Sequence, residues 1–280
     1  NIELPKGFDQ MIKAMYEYLH YKIAYPNRQG YPAIGDGTSV PWWSKKKDKP
    51  ENSKSMGSNN LESLWNVGIN EYDKLKNHEV AVPKYTSTEM TSAGLYVMRS
   101  GWDDKDRFLL FDCVAPSAAG GHWHNSALDV DIYAFGRPLI VDPGMFGYGG
   151  YTFIDYFQRV RAHNIIEFYS AENRQDPKLI RWLRSKDFCL AEGFVEGPKT
   201  ANMTRRILFI GGNYWIIDDL TNNALRHAMI NRAYWHLNSK SVVVDGKQVQ
   251  LAFEGNGSKK QCWMGEDGRD LSFYTNDIDT

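Results

Sequence analysis

The chain has 280 residues, of which 42% are hydrophobic and 14% aromatic, enough for a proper core in a chain long for one domain and short for two large ones. Its 33 Lys+Arg against 34 Asp+Glu leave a formal net charge of -1, which argues against a nucleic-acid protein with its usual basic excess but leaves room for a local basic groove. No apolar run of about 18 residues marks a membrane span, and no charged n-region with an apolar h-region opens the chain.

Phe8, Met11, Ile12, Met15, Leu19 and Ile23 recur at three- and four-residue steps and predict a helix over about 8–24. From Tyr25 to Ser58 the chain carries Pro26, Pro32, Pro41 and Pro50 among glycines and serines, and shows no periodicity, so it reads as a long loop. Its run Lys45-Lys46-Lys47 reads as solvated surface. Leu61, Leu64, Trp65, Gly68, Tyr72 and Leu75 predict a second helix, with Asn59 three residues before Glu62 as a capping-box-like start. Two helices alone cannot bury both their faces.

From about residue 80 the period changes to two. Leu95 to Met98, Phe108 to Phe111, the alternation of Leu128, Val130 and Ile132 with Asp129, Asp131 and Tyr133, and Leu139 to Val141 all read as strands. Two hairpins are explicit. Arg205–Ile210 and Asn213–Asp218 flank Gly211-Gly212, and Val242–Val244 and Gln248–Leu251 flank Asp245-Gly246. This density of strands and turns indicates antiparallel sheets packed as a β-sandwich. The predicted division is a helical segment over 1–79 and a sandwich over 80–280. Sixteen Tyr, thirteen Phe and nine Trp suit such a protein, since aromatic rings pack on pleated sheets and stack on sugar faces.

Three cysteines, Cys113, Cys189 and Cys262, are too scattered for a disulfide framework or a cysteine zinc site, and leave the redox compartment open. The first residue is Asn1 rather than Met, which reads as a processed product or a fragment.

His122 and His124 are one residue apart, so an extended backbone would project both imidazoles to one side. Gly120-Gly121 before them permits close backbone approach, and Asp142-Pro143-Gly144 ends a later strand where a carboxylate can face back. Histidines with a strand-end Asp suit a zinc-like ion held by three protein ligands with one open position. A lone His-x-His is equally a pair of polar residues at a strand end, and His163 by itself reads as a buried histidine bonded to a carbonyl.

Two metal readings compete. A cupin reading takes His122-x-His124, Asp129 where Glu is usual, and Gly136, but its second motif has no match before His163. The other reading covers far more of the chain. It takes Gly94-Leu-Tyr-Val-Met-Arg-Ser-Gly-Trp102, Phe108-Leu-Leu-Phe-Asp112, Gly121-His-Trp-His124 and Phe135-Gly-Arg-Pro-Leu-Ile-Val-Asp-Pro-Gly144. Then follow Asp155-Tyr-Phe157, Arg161-Ala-His-Asn164, Thr204-Arg-Arg206 and Tyr214-Trp-Ile-Ile-Asp218. In that order the motifs resemble the heparinase II/III-like polysaccharide lyases, over about residues 8–240.

The resemblance implies a mainly β fold, a supersandwich-like antiparallel β-sandwich preceded by the last helices of an incomplete α/α toroid that end in a loop like Gly35-Asp36-Gly37. It implies His124, Asp142 and His163 as ligands of a divalent metal, Zn2+ foremost, and His122 as the histidine facing substrate; whether His122 also shares the metal stays open. It further implies an anionic, uronate-bearing polysaccharide as substrate and a periplasmic or secreted location. Elimination from a 4-linked uronate needs donors on the carboxylate, a base near C5 and an acid for the leaving O4. In the family several of these groups sit on the toroid, most of which would precede this chain, so these residues alone are expected to be inactive or nearly so. Tyr148 or Tyr151, in a Gly-rich segment, is preferred to Tyr156 as a substrate contact, and Arg159 and Arg161 suit a uronate or sulfate through guanidinium forks. Each of these could instead simply pack or face water. A non-catalytic carbohydrate-binding sandwich would leave the histidines and Asp142 mutually distant. A cupin-type metalloenzyme would need Asp129 in the coordination shell.

Overall fold

The computed structural model describes residues 6–8, 10–11, 14, 18, 22–26, 30–36, 85–115, 122–145, 154–168, 176–196, 201–222, 231–238, 241–245, 248–252, 260–264 and 273–277. The expected second helix, Tyr148 and Tyr151, and Gly120-Gly121 lie outside the described residues. Within the first expected helix, Phe8, Gln10, Met11 and Ala14 are α-helical, and Tyr18 and Lys22 π-helical.

The first sheet is an antiparallel meander of β1 (Thr88–Met90), β2 (Leu95–Arg99), β3 (Phe108–Asp112), β4 (Val130–Ala134) and β5 (Arg137–Ile140), in that order. β4 and β5 are joined by Phe135-Gly136, both at positive φ (57° and 80°), the geometry that lets a two-residue turn follow strand twist. Arg107 lies 4.1 Å above the Phe135 ring and covers this strained corner. A short helix, α1 (Ile154–Phe157), and β6 (Ile166–Phe168) follow. The second sheet holds β7 (Lys178–Arg184), β8 (Phe188–Glu196), β9 (Asn202–Ile210) and β10 (Tyr214–Asn222), in the order β10-β9-β8-β7. β11 (Asn231–Ala233) pairs with β6, and β12 (Ser241–Asp245), β13 (Gln248–Ala252), β14 (Lys260–Met264) and β15 (Phe273–Asp277) form a further antiparallel sheet.

The first two sheets pack face to face. Met98, Leu109, Phe111, Val130 and Ile132 of one meet Ala191, Val195, Met203, Ile207, Phe209 and Ile217 of the other in a single apolar core. The second sheet keeps the alternation of a half-buried sheet, clearest in β8, whereas every residue of β2, β3 and β4 is buried. The reason lies in the N-terminal segment. Ile23 and Tyr25 lie on the outer face of the first sheet with Leu95, Val97, Phe108, Leu110 and Tyr133. Tyr25 stacks on Tyr133 at 5.1 Å between centroids, and Arg99 donates to the Ala24 carbonyl at 2.8 Å. Among the described residues no helix is long and apolar enough to cross a membrane.

Gly193 in β8 marks a point of close approach between the two layers. A Cβ there would lie 2.5 Å from Leu128 Cδ2 and 2.7 Å from Phe111 Cζ, both residues being fully buried. Gly193→Ala is therefore expected to destabilise the chain by about 1–3 kcal/mol through overpacking, read from urea unfolding. Unchanged stability would mean that the layers yield freely at this point.

Candidate metal centre and substrate-facing wall

The site forms at the ends of β3, β4 and β5, where the β3–β4 connection folds back over the sheet edge. The Asp112 amide donates to the Asp129 carbonyl at 2.9 Å and the Leu128 amide to the Asp112 carbonyl at 2.8 Å, so the strand end pins the return of the loop. Leu128 takes φ 70°, an unfavourable region for a branched side chain. This kink presents the Leu128 carbonyl to the buried guanidinium of Arg205, which donates to it at 2.8 Å and to the Asn164 carbonyl at 2.6 Å. Asp219 receives the rest of that guanidinium through two bonds of 2.7 Å each.

Asn164 joins the pieces. Its amide donates to Asp129 Oδ1 at 2.8 Å, and its side-chain Nδ2 donates to the carbonyls of Val130 (3.0 Å) and Val141 (3.2 Å). Its Oδ1 accepts from the His236 amide at 2.6 Å. The result is a polar corner in which Asp129, Asp142 and His163 each offer a ligand atom within 4.8 Å of one another. His163 Nδ1 meets Asp142 Oδ2 at 2.6 Å and stands 3.8 Å from Asp129 Oδ2. The His124 ring lies 5.4 Å from that of His163, centroid to centroid. His124 is thus a neighbour of this trio, outside its tightest group.

Four buried carboxyls share the corner and its approaches. Burial pushes Asp112 up to about 7 and Asp142 up to about 6, and holds Asp129 and Asp131 well above the usual carboxylate range. Neighbouring negative charge adds to burial at Asp129, where Asp142 is the partner, while the phenol of Tyr25, donating to Asp131 Oδ1 at 2.9 Å, offsets part of the rise at Asp131. Burial lowers His163 to about 4, against the pull of Asp129 and a nearby Phe157 carbonyl that makes no aligned hydrogen bond to the ring. So many acids cannot all ionise in a dry corner unless a cation replaces their protons.

The donor set fits such a cation. His163 is held in the neutral form that ligates, and both His124 Nδ1 and His163 Nε2 are buried without a hydrogen-bond partner among the described residues. Buried polar nitrogens of this kind need an explanation, and imidazole with carboxylate suits a zinc-like ion.

His122 differs. Its side chain is 70% exposed, and its Nδ1 lies 2.7 Å from Asp36 Oδ2, with the other carboxylate oxygen 3.0 Å from His124 Nε2. The two histidines are not held in a regular strand, since His122 sits in a 3-10 turn, and they meet one carboxylate through different ring nitrogens. Arg159 and Arg161 flank buried Val160 in the turn before His163 and face outward, Arg161 pairing with Glu167 at 3.4 Å. Tyr156 is 41% exposed.

Comparison with known proteins gives the family and the fold. The family model described as "Heparinase II/III-like, C-terminal" matches residues 82–278. The chain belongs to the heparinase II/III-like family. Among solved structures, heparan sulfate lyase HepC from Pedobacter heparinus superposes with a TM-score of 0.71 at 16% identity, covering 97% of this chain and 44% of that one. Two heparinase III structures give TM-scores of 0.73 and 0.74 at 16% and 14% identity, covering 98% and 99% of this chain and 47% and 45% of theirs. This chain therefore spans less than half the length of each. A search of curated proteins found no significant match.

Against this heparinase-like frame, the histidines and Asp142 come together rather than standing apart. Asp129, which a cupin centre would require, lies in the same cluster, so its presence does not separate the two metal readings; the family match over 82–278 does. Sequence reasoning treated Asp36 only as part of a loop, and weighed Asp129 only under the cupin reading. The available signals were a carboxylate framed by Gly35 and Gly37, and acids at 129 and 131 inside an otherwise apolar strand. Asn164 and Arg205 stood in quoted motifs without an assigned role.

Proposed function

We propose that this chain provides one wall of the active site of a polysaccharide lyase that cleaves uronic-acid-containing glycans, such as heparin/heparan sulfate or alginate, by β-elimination. The observation that carries the reading is the exposed His122 ring fixed beside a buried carboxyl–histidine corner, in a chain of the heparinase II/III-like family.

The C5 proton of a uronate is a poor acid while the adjacent carboxylate keeps its charge. Neutralising that carboxylate lets the enolate-like transition state form, and a base must then reach C5. His122 is the side chain of this wall suited to either task, because its side chain is 70% exposed while Nδ1 is held by Asp36. The family resemblance assigns His124, Asp142 and His163 to a divalent metal, Zn2+ by donor chemistry, and the ligand atoms that lie together are those of Asp129, Asp142 and His163, with the His124 ring beside them. Bound there, the cation would compensate the buried carboxylates and stiffen the wall. Tyr148 or Tyr151 is assigned to the substrate side, and Arg159 and Arg161 to uronate or sulfate groups. Export to the periplasm or outside the cell accords with such a substrate.

The test is an ultraviolet assay for unsaturated uronates, with the protein carrying this chain and a panel of uronate polymers beside a neutral glycan. Product from at least one uronate polymer and none from the neutral glycan is expected. The 280 residues alone are expected to turn over at least about 100-fold more slowly, for want of acid–base partners whose loss costs roughly that much or more. Glycan binding without product from the metal-loaded protein would replace this reading with that of a binding module.

A further inference from the structure

We infer that the outer face of the second sheet is a self-association surface, which packs on the same face of a second copy across a two-fold axis running along the strands between β8 and β9. The face is built of rows that cross the strands in register. One row is aliphatic, Leu183, Leu190, Leu208 and Ile216, and next to it Phe188, Ile210 and Tyr214 line up at the end of the sheet. The alternate residues of the same strands, Ala191, Ile207 and Ile217 among them, fill the core on the other face. Leu183 is 46% exposed, Phe188 41% and Tyr214 38%. A contiguous apolar patch beside charged groups marks an interaction site. Its four-strand apolar row is aliphatic, which suits the apolar interface of a homodimer better than the stacking of sugar rings.

Charge selects the second copy as the occupant. The row beside the aliphatic one reads Arg181, Glu192, Arg206 and Asp218 across β7 to β10, so its sign alternates from strand to strand. Within the chain Glu192 meets Arg206 at 3.0 Å and Arg181 at 3.7 Å, and Arg206 meets Asp218 at 3.6 Å. A two-fold axis along the strands, midway between β8 and β9, sets β10 of one copy over β7 of the other and β9 over β8. Arg181 then faces Asp218 of the partner subunit, and Glu192 faces Arg206 of the partner subunit, so every contact across the charged row joins opposite signs. In the aliphatic row Leu183 faces Ile216 of the partner subunit and Leu190 faces Leu208 of the partner subunit. An axis along the charged row would instead set each charge on its own counterpart, which repulsion disfavours. Near-parallel strand directions are also the ordinary way for two sheets to pack. Strands of up to nine residues in a four-stranded sheet give a face of about 600 Å², so two copies would bury about 1,200 Å² in all, the low end of stable interfaces.

The inference goes beyond the lyase reading and does not depend on it. The test is sedimentation equilibrium of the protein carrying this chain, at concentrations up to about 100 μM, as wild type and as two charge variants. Arg181→Glu with Arg206→Glu makes the row wholly acidic, and Glu192→Lys with Asp218→Lys makes it wholly basic. Wild type is expected to dimerise. Each variant alone should have a Kd at least about 100-fold higher, and an equal mixture of the two should form a heterodimer. Should the double variants misfold, Leu183→Lys, on the edge strand β7, is expected to raise Kd at least about 10-fold. A monomeric wild type overturns the proposal whether or not any variant folds. So does a folded double variant or Leu183→Lys protein that dimerises as wild type does, which would put the interface elsewhere, and so does a mixture of folded variants that stays monomeric. A monomer that binds a uronate polymer, and loses it in the acidic variant, would make this face a glycan surface instead.

Discussion

His122→Ala is expected to lower kcat by about 10²–10⁴ while metal content and melting temperature stay at wild-type values. The ring is 70% exposed, so its removal vacates no core volume, and the buried corner retains His124, Asp142, Asp129 and His163. Chelation is expected to act the other way round. Without a cation the buried carboxyls must take up protons or bear unfavourable charge, so the chelated protein should melt at a lower temperature and lose activity along with its fold. The paired measurement is decisive. If the metal polarised the substrate carboxylate itself, His122→Ala would keep much of its activity, and chelation would abolish turnover in a protein that stayed folded.

Arg205→Ala is expected to be the most destabilising single change among those considered, at about 3–5 kcal/mol, because it leaves a buried carboxylate without its partner. Asp219 would lose two bonds of 2.7 Å, and the Leu128 and Asn164 carbonyls would lose their donor. Lysine should rescue little, since a single ammonium cannot reproduce a planar fork that serves a carboxylate and two carbonyls at once. Unfolding in urea measures the loss, and metal content should fall with it, because Leu128 and Asn164 border the corner on either side. A loss below about 1 kcal/mol, the level of an exposed ion pair, would show that water replaces the guanidinium without cost.

Much of the fold was legible beforehand. The period-two runs at 95–98 and 108–111 lie on β2 and β3, and both hairpins pair as the glycine turns suggested. Legibility was poorer where burial has two sides. β4 alternates apolar residues with Asp131 and Tyr133, yet all of its residues are buried. Alternation reports polarity rather than depth. Here the polar members point to the outer face and are buried there, because the N-terminal segment covers that face and supplies the Tyr25 hydroxyl to Asp131. Several strands, among them β1, β6 and β11, escaped reading because three residues are too few to show a period.

The histidine pair shows the same division. By itself the sequence determined that His122, His124, Asp142 and His163 belong to one ordered string of motifs, and that a sandwich carries them, because strand period and turn chemistry are local properties of the chain. Only the tertiary structure decided that His122 and His124 share one carboxylate, that Asp129 joins the buried corner, and that Arg205 and Asn164 hold its edges. Those contacts join residues as many as 88 positions apart. What selects them is the shape of the packed core and the cost of leaving a buried charge unpaired, which depends on the whole chain at once.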